Sequence, residues 1–167
     1  MNDWMSEAKT LMRLAHHIAS LDLMRHYKVA MMDKAVRAAS DILSCETTRV
    51  HNNTSSMIQW CLQWTEDAQR IYWENKKSTH RITTFGRDNT GKRLWSVEHP
   101  FPLKNVKDLL LNGCSYDTFE EWMIEFGRAV IVSQAELARL PQLGTDRYEQ
   151  LNIRYSRFDP GSLTRTR

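Results

Sequence analysis

The chain has 167 residues, 41% hydrophobic and 26% charged, with a net charge of +3, enough for one domain with a core of its own. No run approaches the ~18 apolar residues of a membrane span, and the opening "MNDWMSEAKT" lacks the basic-then-apolar order of a secretory signal. Cys45, Cys61 and Cys114 form no CxxC pair, which argues against a cysteine zinc site or a disulfide framework and for reduced thiols in the cytoplasm.

The first ~75 residues read as helices. Trp4, Ala8, Leu11, Ala15 and Ile18 recur at helical spacing, Met12 and Leu21 widen the stripe, and Asn2 or Asp3 can cap its start. A second helix is expected over Tyr27 to Cys45, with Val29, Met32, Val36, Ala39 and Leu43 on one side, and the break before it is weakly marked. "TTRVHNN", Thr47 to Asn53, reads as a loop. A third helix is expected from Asn53 or Thr54, carrying Met57, Trp60, Cys61, Trp64, Ala68, Ile71 and Tyr72 on its apolar face.

The period then changes. "RITTFGRD" and "RLWSVEH" read as two strands around the turn "NTGK", where Gly91 can take positive φ. Pro100 and Pro102 stop the second strand. Lys104 to Leu111 reads as a helix with Asn112-Gly113 as its stop. Asp117 with Glu120 resembles a capping arrangement for a helix through Phe119, Trp122, Met123 and Phe126, ended by Gly127. "AVIV", Ala129 to Val132, suits a buried strand, and Ser133 to Glu136 is a capping box for a further helix stopped by Pro141. From Asn152 onward no period is evident, and four arginines face one acid. The expected architecture is α+β: a single domain over 1–151, helical over 1–75 and ββα-containing over 76–151, then a basic arm over 152–167.

Charge is concentrated. Between Asn75 and Lys107, Lys76, Lys77, Arg81, Arg87, Lys92, Arg93, Lys104 and Lys107 stand against Asp88 and Glu98; eight against two is +6, so the rest of the chain sums to −3. Such a window is either a solvated face or a footprint for a phosphate backbone. Trp73, Trp95, Tyr72 and Phe85 lie in or beside it, and aromatics among cations can stack on unpaired bases, although core packing is their commoner use.

At the end of the second strand, "VEHPFPL" places Glu98 and His99 side by side. Phosphodiester hydrolysis needs a base for water and a cation for the developing charge; a histidine serves as the first, and a carboxylate can hold a hard cation for the second. Neighbours on a strand face opposite ways, so the pair can share a site only where the strand ends.

The stretch from Arg81 to Leu111 resembles the HNH, or ββα-metal, endonucleases. The resemblance implies that Glu98 binds a divalent metal such as Mg²⁺, that His99 is the general base and that DNA is the substrate. That family also supplies an asparagine that orients the histidine and a last metal ligand on the helix. Here no histidine follows His99, Asn105 falls in the first helical turn, and Asp108 is the substitute ligand one turn on.

Two further readings compete. Glu74 and Lys76 form an E-x-K triplet with Asp67 upstream, as in restriction-type nucleases, but on a helix-period segment. Alternatively, the helical half, with Met5, Met12, Met24, Met31, Met32 and Met57, forms a dimer or binds a protein partner, making the chain a non-enzymatic regulator or inhibitor. No serine–histidine constellation is legible, and a Gly-rich phosphate loop is lacking.

Overall fold

The computed structural model describes residues 3–50, 57–58, 60–75, 87, 90–141 and 144–158. The fold is α+β. Helices α1 (Asp3–Ser20) and α2 (Arg25–Cys45) are separate; the chain turns at 21–24, and Lys28 Nζ donates to the Ala19 carbonyl across the turn. The stripe read for α1 is the buried one, with Ala8, Met12, Ala15 and Ile18 inside. α2 is buried at every residue from Ala39 to Cys45, where Leu62 on one segment and Gly127 and Ala129 on another bond to its Ser40 and Ser44.

The expected third helix is interrupted. Gln63–Thr65 is a strand, β1, and the helix α3 begins only at Glu66 and runs to Asn75. Trp64, 1% exposed, anchors it by donating Nε1–H to the Cys61 carbonyl. Thr65 makes the transition: its Oγ1 accepts from Ala68 N, a side-chain cap on α3, and donates to Glu136 Oε2.

Strand β2 (Trp95–Glu98) pairs antiparallel with β3 (Val130–Ser133), from Trp95↔Ser133 to Glu98↔Val130. The expected hairpin partner of β2 over 81–86, and with it the ββ part of the ββα unit, lies outside the described residues; Arg87↔Arg93 is a single bridge around Gly91, whose φ is +82°. Helices α4 (Leu103–Leu111) and α5 (Tyr116–Phe126) follow β2. Gly113, at φ +81°, ends α4 as expected. The cap of α5 is Ser115, which accepts from Thr118 N, not the Asp117–Glu120 arrangement; Glu120 instead pairs with Lys9 at 2.5 Å.

β3 leads through the capping box at Ser133 and Glu136 into α6 (Gln134–Arg139). After α7 (Arg147–Gln150), Tyr155–Arg157 forms β4. This corrects the basic-arm reading for residues up to Phe158, which is buried; 159–167 lie outside the described residues. The sheet order is β2-β3-β1-β4, with β1 parallel to β3 and antiparallel to β4.

Strand alternation sorts the core. Ile131 joins Trp64, Ala68, Tyr72, Trp95 and Phe158 on the α3 face. Val130 and Val132 face the other way, against Tyr148, Leu137 and Leu140. A separate cluster joins α1 and α2 to α4 and α5 through Met12, Met32, Val36, Leu43, Val106, Phe119 and Met123. The outer end of β2 lies between these clusters, which is where His99 sits. No helix among the described residues is long and apolar enough to cross a membrane.

Candidate functional site

Glu98 is the last residue of β2, and Pro100 and Pro102 turn the chain toward α4. Phe101 fixes that turn by packing edge-on to Trp122 (4.1 Å between centroids) and against Phe126 (5.5 Å) on α5. His99 is thereby aimed at α2. Its Nε2 lies 2.7 Å from Ser40 Oγ, and Ser40 Oγ donates to the Gly127 carbonyl at 2.5 Å. One turn on, Ser44 Oγ donates to the Ser40 carbonyl and accepts from Ala129 N at 2.7 Å. Two serines spaced i, i+4 therefore tie α2 to the segment that follows α5.

These bonds settle the histidine tautomer. A serine hydroxyl has one proton. The Gly127 carbonyl can only accept, so it takes that proton, and Ser40 Oγ must accept from His99 Nε2–H. The Nδ1 atom is then the lone-pair nitrogen. It has no protein partner among the described residues and is not sealed from solvent. Burial, reinforced by the positive charges of Arg37 and then Arg147, lowers the His99 pKa from 6.5 to about 4. The imidazole is neutral at pH 7.

Glu98 pairs with Arg147 at 2.7 Å. Arg147 is 5% exposed; its guanidinium also donates to the carbonyls of His99, Pro100 (3.4 Å) and Pro141 (3.1 Å). One buried fork thus holds the end of β2, the following turn and the segment after α6 together.

Around His99 is a cavity of about 560 Å³, lined by Arg37, Lys104, Lys107 and Arg147, by Glu98, and by apolar residues including Pro102, Leu103 and Leu137. Arg37 and Lys107 share Asp33, at 2.8 Å and 2.5 Å. Their bonds and charges outweigh burial and hold the Asp33 carboxyl below its usual range, although burial is the largest single influence and acts in the opposite sense. Four cations thus stand against Glu98 and Asp33, leaving an excess of +2. The N-terminus of α4 opens at the same wall, and Pro102 gives it no side-chain cap. Uncapped N–H groups and the helix dipole favour an anion there.

The sequence-predicted site residues divide. His99, Glu98, Lys104 and Lys107 meet at the cavity. Asp108 does not join them in a ligand set; it pairs with Arg25 at 3.3 Å. Among the described residues no group of three or more His, Cys, Asp or Glu side chains could hold a metal ion. With Glu98 held by Arg147 and Asp108 by Arg25, the residues present do not fit a ready-made divalent-metal site. Arg87, Lys92 and Arg93 are exposed near the Gly91 turn, with Arg87 donating to the Gly91 carbonyl. Lys76, Lys77 and Arg81 lie outside the described residues, as does Phe85. Trp95 is a core residue at 0% exposure. In the E-x-K reading, Glu74 and Asp67 both bind Arg70, and Lys76 is not described.

Ser40, Arg37 and Arg147 are the site residues that sequence reasoning missed. Ser40 did leave a trace, a small polar residue on the apolar face of α2; Arg147 left none. No protein-family model, curated protein or solved structure matches the chain.

Proposed function

We propose that the protein binds nucleic acid, seating backbone phosphates in the His99 cavity. The observation that carries this reading is the convergence of Arg37, Lys104, Lys107 and Arg147 with the uncapped start of α4 around a neutral, fixed imidazole. Phosphate is the ligand chemistry that guanidinium, ammonium and helix N-terminal N–H groups share. In this reading Lys104 makes the first contact, because it is exposed and has no carboxylate partner among the described residues. His99 Nδ1 is the one uncommitted proton acceptor of that imidazole, and it is the base on which any phosphodiester cleavage would depend.

Fluorescence anisotropy with labelled oligonucleotides across a salt series tests the reading. Affinity should fall linearly on logarithmic axes with salt, and Lys104→Glu should weaken binding to all sequences alike. Absence of binding at low salt, or a flat salt response, overturns it. A nicking assay on supercoiled plasmid with Mg²⁺, with Mn²⁺ and with chelator then asks whether bound DNA is cut, and whether His99→Ala abolishes the cut.

One observation favours the non-enzymatic alternative in parallel. Met24, Tyr27 and Met31 form an exposed stripe on and just before α2, at 67%, 55% and 47% exposure. Such a stripe suits a partner helix, and sedimentation of the purified protein would reveal a self-association through it that Met31→Glu abolishes.

A further inference from the structure

The polar side chains of the His99 cavity differ in what they offer a phosphate backbone, which by the reading above enters it. Arg37, Lys104, Lys107, Arg147 and the start of α4 offer only donors. His99 Nδ1 offers only a lone pair, since Ser40 holds the ring's proton on Nε2. The carboxylate on the wall, Glu98, is neutralised by Arg147 at 2.7 Å.

A phosphodiester has no proton to give. A backbone of phosphates and deoxyribose therefore satisfies the cations and leaves Nδ1 facing lone pairs or nothing, and an acceptor stripped of water without a donor is costly. A ribose 2′-hydroxyl is a donor fixed next to a backbone phosphate, and it is the group by which a protein tells RNA from DNA.

We propose that the cavity selects RNA over DNA, with a 2′-hydroxyl donating to His99 Nδ1 while the neighbouring phosphate rests on Lys104 and Lys107. Ser40 is the positioning residue. By accepting Nε2–H and donating to the Gly127 carbonyl, it leaves the ring's lone pair on Nδ1 of a residue that lines the cavity. The neutral imidazole at pH 7 suits the role, since an imidazolium would present a proton there and favour phosphate alone.

The test compares three labelled strands of one sequence on the wild-type protein: RNA, DNA, and 2′-O-methyl RNA, which keeps the ribose shape and loses the proton. RNA is expected to bind about tenfold more tightly than either of the others. His99→Leu should bring the three affinities together while leaving the salt dependence in place. In Ser40→Ala the preference should shrink, and the ring ¹⁵N shifts of His99 should move from the Nε2–H form toward a mixture of tautomers, which a purely structural role for Ser40 would not produce. Equal wild-type affinities for the three strands overturn the selection and leave nucleic-acid binding standing. A 2′-O-methyl strand that binds as RNA does, or a preference that survives His99→Leu, also overturns it. If none of the three binds, the underlying reading of the cavity fails.

Discussion

Ser40 Oγ and His99 Nε2 lie 2.7 Å apart although 59 residues separate them in the chain. Ser40 is fully buried, and its hydroxyl is shared between the imidazole and the Gly127 carbonyl. Ser40→Ala therefore leaves a donor on His99 and an acceptor at Gly127 without their partner. The expected loss is about 1–3 kcal/mol of folding free energy, measured as a shift of the urea midpoint with an unchanged slope.

Arg147 should be the most sensitive charged residue in the protein. It is buried, and one guanidinium serves Glu98 and three backbone carbonyls. Arg147→Ala should cost about 3–5 kcal/mol, because Glu98 is left half-buried without its counter-charge. Arg147→Lys should recover little of it, since an ammonium cannot span the same planar fork. Chemical denaturation of the two variants side by side checks both statements.

Gly127 should tolerate no side chain. A Cβ there would fall 2.5 Å from the Met123 carbonyl oxygen and 3.0 Å from Met123 Sδ and Cε. The Gly127 φ of −77° is ordinary, so space and not backbone conformation makes the demand. Gly127→Ala must displace the end of α5 and with it the carbonyl that accepts from Ser40. A loss of about 1–3 kcal/mol is expected, together with altered His99 ring resonances, since Ser40 Oγ links the Gly127 carbonyl to the imidazole.

The acid response should show two opposing titrations. His99 has a folded pKa of about 4 against an ordinary 6.5. Between those values the unfolded chain binds the extra proton, so stability falls as pH drops through the window, by up to about 3 kcal/mol. Asp41 behaves in the opposite sense: burial raises its carboxyl from 3.8 to about 6, against the pull of Arg37. Its charged form penalises the fold above pH 6, and that penalty is relieved as pH falls toward 4. The wild type should thus be nearly flat between pH 6 and pH 4. Asp41→Asn should be more stable than wild type at pH 8 and should lose stability visibly on acidification; denaturation curves at pH 8, 6 and 4 provide the comparison. A wild-type His99 that titrates near pH 6.5 by NMR would defeat the first half of this account.

What could be read from the sequence followed from local spacing. The buried stripe of α1, the capping box at Ser133 and Glu136, the stop at Gly113 and the apolar run of β3 all appear in the structure, because each is encoded within a turn or two of the chain. β1 was hidden by a coincidence. Trp60, Trp64 and Ala68 keep helical spacing, and a strand of three residues is too short to show a period of two. β4 was hidden because Tyr155, Ser156 and Arg157 are all exposed and carry no alternation. At the site, Glu98 and His99 stood out as neighbours at a strand end, and Lys104 and Lys107 as part of a charge cluster. Ser40 and Arg147 could not be tied to them, because a contact across 59 or 49 residues leaves no mark on either local pattern.

The position of β1 in the sheet dictates an order of assembly. Its two neighbours are β3 and β4, and both are synthesised after it: Trp64 pairs with Ile131 on one side and Ser156 on the other. A growing chain that has just released α3 from the ribosome holds the α1–α2 hairpin and an indole that has met Tyr72 but neither Trp95 nor Phe158. Phe158, against which Trp64 packs at 5.3 Å, is made last of all the described residues. Such long-range pairing is slow to form and leaves apolar surface open in the meantime. Completion of the sheet therefore waits on the segment 155–157, and a chain cut before Tyr155 would retain every residue around His99 yet leave the β4 side of β1 bare.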